Sequence, residues 1–134
     1  MTAYAAVMAH VEDAAALALA LPGVTEGTSY GHRAWLLGRA RFAWERPFSK
    51  ADLKRFGDAP VPQGPILAVL VDDLSEKQAL LTAHPGAVFT IEHFADYPAV
   101  LICLDLVSRS VLAELIRDAY LSVAPPDVVE RFRG

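Results

Sequence analysis

The sequence predicts an α+β fold: a single two-layer domain over residues 1–134, with a mainly antiparallel sheet, helices packed on one face, and the order α-β-β-β-β-α-β-β-α. Two observations carry this reading. Strand-like segments come in groups instead of alternating one by one with helices, which favours antiparallel pairing over a parallel crossover sheet. Helix-like segments appear at the start, the middle and the end, the first and last with apolar residues at three- and four-residue spacing. A chain of 134 residues with 54% apolar and 21% charged residues suits one core, and it excludes disordered or low-complexity classes.

The first helix is expected from about Ala3 to Leu21, where Val7, Val11, Ala14, Ala18 and Leu21 share a face and Pro22-Gly23 ends the run. Thr25 to Gly31 follows as a strand. Ala34 to Trp44 reads as a hairpin about Gly38-Arg39, with Trp35 opposite Phe42 on one face and Leu36 opposite Arg41 on the other. Glu45 to Gly64, with Pro47, Pro60 and Pro62, reads as a long loop holding a short helical turn at Lys50 to Phe56. Ile66 to Val71 is a continuous apolar strand covered on both faces. Asp72 or Asp73 then caps a helix running to about Ala83, with Glu76 at capping-box spacing from Asp73, and His84-Pro85-Gly86 ends it. Val88 to His93 and Pro98 to Leu106 are two further strands. Ser108 or Ser110 caps the last helix, whose stripe of Val111, Leu112, Leu115, Ile116, Ala119, Tyr120 and Val123 stops at Pro125-Pro126.

Charge is partitioned along the chain. Positions 32 to 55 hold seven cations, Arg33, Arg39, Arg41, Arg46, Lys50, Lys54 and Arg55, against Glu45 and Asp52, for a net +5. The rest holds five Lys or Arg against fourteen Asp or Glu, a net −9 that brings the total to −4. A basic patch on an acidic body suits phosphate contact, or docking on a second copy, so a monomer and a homodimer both fit. The lone Cys103 lies in an apolar run without a disulfide partner, as in a reducing compartment. No Lys or Arg precedes residue 33 and Glu12-Asp13 precede the short Ala/Leu stretch, so no export signal is expected. No apolar run approaches the roughly 18 residues a membrane span requires, and the expected location is cytoplasmic without membrane attachment.

Gly27-Thr28-Ser29-Tyr30-Gly31 fits the G-x-S-x-G pattern of a hydrolase nucleophile, and Asp72 or Asp73 with His84 or His93 keeps the matching order. That motif requires a strand before it and a helix after it, whereas here a helix end precedes and a hairpin follows, so a strand or turn is the expectation. His10, His32, His84 and His93 have no metal-ligand spacing, and neither a metal nor a cofactor is expected. Glu12, Asp13 and Glu26 read as solubilising carboxylates. Tyr30, His32, His93 and Tyr97 could meet across the sheet and line a pocket. Arg39 at a hairpin tip, with Arg41 and Trp44 nearby, has the chemistry of a wing that meets phosphates; its plainer reading is a charged edge that discourages aggregation.

Leu21-Pro22-Gly23-Val24-Thr25-Glu26-Gly27, Tyr30-Gly31, the Gly38 hairpin with Phe42-Ala43, Val71-Asp72-Asp73-Leu74, Phe89-Thr90, His93-Phe94, Tyr97-Pro98-Ala99-Val100 and Leu112 to Tyr120 occur in an order that closely resembles the MmcQ/YjbR family from about Val11 to Phe132. The resemblance implies a CyaY-like α+β fold and a DNA-binding label attached to a double-wing likeness, with no established reaction. Two departures stand out: Pro125-Pro126-Asp127 where relatives often carry cations, and Arg39 where a lysine is usual. The expectation is a non-enzymatic protein that binds DNA weakly and in a salt-dependent way through the seven cations. The alternative is a small-molecule or protein-interaction module using the aromatic pocket or the sheet face.

Overall fold

The computed structural model describes residues 9–133. Val7 and the predicted helix start at Ala3 lie outside them. Among the described residues the chain forms helices α1 (Val11–Leu19), α2 (Lys50–Phe56), α3 (Leu74–Ala83), α4 (Arg109–Val123) and α5 (Pro126–Arg133). The strands are β1 (Val24–Ser29), β2 (His32–Leu37), β3 (Ala40–Glu45), β4 (Ile66–Leu70), β5 (Val88–Phe89) and β6 (Ala99–Cys103). They make one antiparallel sheet in the order β1-β2-β3-β4-β6-β5. The α+β expectation holds.

Two-residue turns join the first three strands. Tyr30 and Gly31 both have positive φ (52° and 79°), the type I′ pattern whose twist suits a hairpin. In the next turn Gly38 takes φ 62° at the first position while Arg39 stays in the ordinary region, which is the type II′ pattern. Between these turns β2 and β3 slip by one residue: Trp35 faces Ala43 and Leu36 faces Arg41. Phe42 is therefore the extra residue of a β-bulge. The predicted Leu36–Arg41 pair is present. The predicted Trp35–Phe42 pair is not, because the bulge lets Phe42 and Ala43 both enter the core beside Trp35.

One face of the sheet buries Trp35, Phe42, Leu67, Val69, Val100 and Ile102 against α1 and α4, with Leu112, Leu115, Ile116, Ala119 and Tyr120 as the facing stripe. Phe42 meets Tyr120 edge-on at 5.8 Å, and the Tyr120 hydroxyl donates to the Pro22 carbonyl at 2.8 Å. The two helices are also tied at their starts. Asp13 accepts from the His10 backbone N–H at 2.8 Å, capping α1, and from Arg109 of α4 at 2.7 Å. Asp73 and Ser108 are the caps of α3 and α4; each side chain accepts a backbone N–H three residues on.

The opposite face is not bare, as helices on one face alone would leave it. Trp44, Ile66, Ala68, Leu101 and Cys103 form a second cluster with Phe94, against which pack Phe89 of β5 and, from the connecting segments, Phe48 and Ile91. Helix α2, predicted as a helical turn at the same residues, is capped by Ser49, whose hydroxyl accepts from Asp52 N–H at 3.1 Å. The strand expected from Val88 to His93 stops at Phe89 and becomes a 3-10 turn at Glu92–Phe94, because Phe94 turns inward to that cluster. Helix α5 was not expected. Proline suits a first helical position, where its missing N–H costs nothing, and Pro126 begins the helix there.

Leu115 sits in the α4 stripe, 3% exposed. Leu115→Ala should destabilise the protein by about 2–5 kcal/mol in urea unfolding, as truncations in close-packed cores do. A loss under about half a kcal/mol would mean that this helix does not close the core.

Candidate functional site

The seven cations do not form one surface. Arg33 lies on the helix-bearing side, where its Nε and Nη2 donate to Glu26 at 3.0 Å each and its Nη1 pairs with Glu12 of α1. Glu26 also accepts from the indole N–H of Trp35 at 3.0 Å. Hydrogen bonds from Arg33, then from Trp35, together with the charge of Arg33, hold the Glu26 carboxyl below its usual range against the opposing effect of burial. Its own bonds to Glu26 and Glu12 push Arg33 up. Three nitrogens of this guanidinium are committed to the fold.

Arg46 is committed too. It donates to the Pro47 carbonyl at 2.7 Å and to Asp52 at 2.8 Å, and Arg55 stands 3.6 Å from the other oxygen of Asp52. Asp52 is 2% exposed. Burial pushes its pKa up, but hydrogen bonds from Arg46 and the Ser49 backbone N–H, with the charge of Arg46, outweigh it and leave the carboxyl below its ordinary value. Arg39, Lys50 and Lys54 are exposed and make no ion pair among the described residues. Arg39 sits in the turn that enters β3, and Lys50 and Lys54 lie on α2, beyond the other end of that strand. The charged-edge reading also fails, since β3 lies inside the sheet between β2 and β4.

Tyr30, His32, His93 and Tyr97, by contrast, all line one cleft of about 630 Å³ on the face of the sheet away from α1 and α4. The β1–β2 turn supplies Ser29, Tyr30 and His32; β3 and its exit supply Arg41, Trp44, Glu45 and Arg46; the 3-10 turn and its exit supply His93, Phe94 and Tyr97. Arg41 and Trp44 are three residues apart, so a regular strand would send them to opposite faces. The bulge at Phe42 brings them together. The guanidinium of Arg41 stacks 3.6 Å from the centre of the Trp44 ring and donates to the Ser29 hydroxyl at 2.7 Å. Held flat and tethered by one N–H, it keeps further donors for an anion.

Lys77 sets the far wall. This α3 residue is 4% exposed, and its ammonium donates to the Phe94 carbonyl and, at 2.9 Å, to the Tyr97 carbonyl. Burial lowers its pKa, partly opposed by Asp96. Sequence reasoning passed over Lys77; a lysine at a core-facing helix position was the available signal. On the near rim, Tyr30 is 95% exposed and holds a left-handed conformation that a tyrosine rarely adopts. Glu45 at the end of β3 accepts the Arg33 backbone N–H at 2.8 Å, so the cleft also has a carboxylate. Ser29 stands in a hairpin with its hydroxyl bonded to Arg41, so the strand-turn-helix context of the G-x-S-x-G pattern is missing. Among the described residues no three His, Cys, Asp or Glu side chains gather as metal ligands, and no helix is long and apolar enough to cross a membrane.

A meander of antiparallel strands, a helix-covered face and a connector-walled cleft on the other define a two-layer α+β protein. The same fold occurs in the crystal structure of Deinococcus radiodurans protein DR2400, described with a DUF419 domain, at a TM-score of 0.63 and 20% identity over 94% of this chain and 89% of that one. The chain belongs to the YjbR family, whose model matches residues 19–122. It is 41% identical over 128 residues to the uncharacterized proteins Rv2570 of Mycobacterium tuberculosis and Mb2600 of Mycobacterium bovis, covering 93% of this chain and 96% of each relative.

The depressed carboxyls give stability a pH dependence. A carboxyl whose folded pKa lies below its unfolded value contributes stability above the unfolded value, and this is lost as the pH falls through the folded one. Both Glu26 and Asp52 have that sign. The urea midpoint of the parent should therefore fall between about pH 4 and pH 2. Asp52→Asn should start lower at neutral pH and fall less over the same interval; parallel curves would show that Asp52 carries none of the effect.

Proposed function

We propose that this YjbR-family protein is a non-enzymatic binding module whose cleft takes a planar aromatic ligand bearing an anionic group. The observation that carries the reading is Arg41, stacked on Trp44 and tethered by Ser29 with donors to spare, at the base of a cleft walled by Phe94, His93 and Tyr97. A flat ring would slide between aromatic walls, and its anionic group would meet a guanidinium that has already lost its side-chain freedom. Glu45 would accept an N–H from the ring. Nucleoside monophosphates have this chemistry, as do amino-substituted aromatic acids.

Duplex DNA is the second reading, supported by the exposed Arg39, Lys50 and Lys54. Arg33, Arg46 and Arg55 are already drawn toward carboxylates, and the separation of Arg39 from α2 leaves a weak, divided footprint. A cytoplasmic location accompanies either reading, on the lone buried thiol of Cys103.

The tryptophan emission of the protein, titrated with adenosine monophosphate and with 4-aminobenzoate, tests the first reading. At least one should bind saturably. Arg41→Ala should weaken that ligand about tenfold or more, as loss of a charge-assisted hydrogen bond does, while Arg39→Glu should leave it unchanged. Equal affinity in the parent and Arg41→Ala would overturn the reading. Mixed-sequence duplex DNA at about 50 mM and about 200 mM salt tests the second: binding that weakens with salt and disappears in Arg39→Glu would support it. No binding at the lower salt would end it.

A further inference from the structure

A second cavity lies on the helix-bearing side of the molecule, between the tip of the β2–β3 hairpin, the last turns of α4, and α5. Its volume is about 960 Å³. Leu37, Val123, Val128 and Phe132 give it apolar walls, and the charged groups that line it are Arg117 and Arg131. No carboxylate lines it among the described residues. The Tyr120 hydroxyl, which would otherwise be polar here, is spent on the Pro22 carbonyl, so this residue presents its ring.

The two arginines are weakly engaged. Arg117 lies 5.4 Å from the Phe132 ring centre and donates to the Phe132 carbonyl at 3.3 Å, with no carboxylate in ion-pair range among the described residues. Arg131 pairs at 3.2 Å with Asp127, one turn back on α5, but both side chains are about three-quarters exposed, and such pairs exchange readily with water and other anions. An apolar trough lined by two guanidinium groups, with the exposed Asp127 beside Arg131 as the one carboxylate paired to either among the described residues, is complementary to a chain whose acidic head can take over that exposed pairing.

We infer that this cavity binds an amphipathic carboxylate, its aliphatic chain against Leu37, Val123, Val128 and Phe132 and its head group at Arg117 and Arg131. The chain would displace water from apolar walls, which is the favourable part of the exchange. The carboxylate would accept from planar guanidinium forks matched to it, whereas a cationic amphiphile of equal length would meet like charge. The site shares no residue with the cleft lined by Arg41 and Trp44, and it does not depend on the ligand proposed there.

Decanoate is the probe, with decyltrimethylammonium as the cationic control of equal chain length, both followed by calorimetry below their micelle concentrations. The parent should bind decanoate saturably and the ammonium compound at least about tenfold more weakly. Arg117→Ala and Arg131→Gln should each weaken decanoate, and Val123→Trp, which fills the path of the chain, should abolish binding; circular dichroism checks that each variant folds. Should Arg117→Ala fail to fold, the exposed Arg131 and the filling substitution decide. Arg41→Ala should leave decanoate binding unchanged, which separates this site from the cleft. Absence of saturable decanoate binding, equal binding of the two amphiphiles, or indifference to Arg131→Gln and Val123→Trp alike would overturn the inference.

Discussion

Most of this structure turns on one extra residue in β3. The bulge at Phe42 breaks the two-residue period of the strand, and chemistry of opposite kinds is sorted by that break. Two consecutive side chains, Phe42 and Ala43, go to the helix-bearing face and meet Tyr120 and its neighbours on α4. Arg41 and Trp44 are left together on the other face, with a guanidinium on an indole and a serine hydroxyl within reach. Without the slip either Phe42 or its successor would leave the helix-bearing core for the other face, and Arg41 could not stack on Trp44. Core packing and the candidate site thus share a cause.

Bulges of this kind leave little trace in sequence. Aromatic and aliphatic residues on both sides of Gly38-Arg39 announce a hairpin, and Gly38 announces its turn, because only a few residues tolerate the backbone that a two-residue loop demands. Where the extra residue falls depends on which side chain α4 can accommodate, and that is a tertiary matter. The α4 stripe was legible for the opposite reason: Leu112, Leu115, Ile116, Ala119 and Tyr120 recur at three- and four-residue spacing, with the charged Glu114, Arg117 and Asp118 on the exposed side between them. Helix α5 was obscured because Pro125-Pro126 reads as a terminator from one side and as a helix start from the other.

Charge illustrates a different limit. Counting along the chain finds a block of seven cations, but Coulombic partners are chosen in space. Glu12 and Glu26, far from the block or at its border in sequence, converge on Arg33 through α1 and β1, and Asp52 draws in Arg46 and Arg55. What sequence presents as a basic patch is in large part internal bracing. The pocket was legible only in part: Tyr30 and His32 flank a two-residue turn, whereas His93 and Tyr97 reach the cleft from the β5–β6 connection, which leaves the sheet at the opposite end and folds back over its face. Lys77, which holds the wall of that pocket from below, has no sequence signature beyond being a charge where an apolar residue would fit.

The arrangement of the cleft bears on how the protein folds. Ser29, Tyr30, His32, Arg41 and Trp44 come from one continuous meander closed by two-residue turns, the kind of unit that zips up within microseconds from local contacts. His93, Phe94 and Tyr97 come from a segment fifty residues downstream that is fixed only when β6 has paired with β4 and α3 has delivered its lysine. The first half of the cleft is thus a product of local closure and the second of long-range closure. Native-state openings that release the downstream segment alone would dissolve one wall and leave Arg41 on Trp44, so the cleft could gape and reclose without the sheet coming apart.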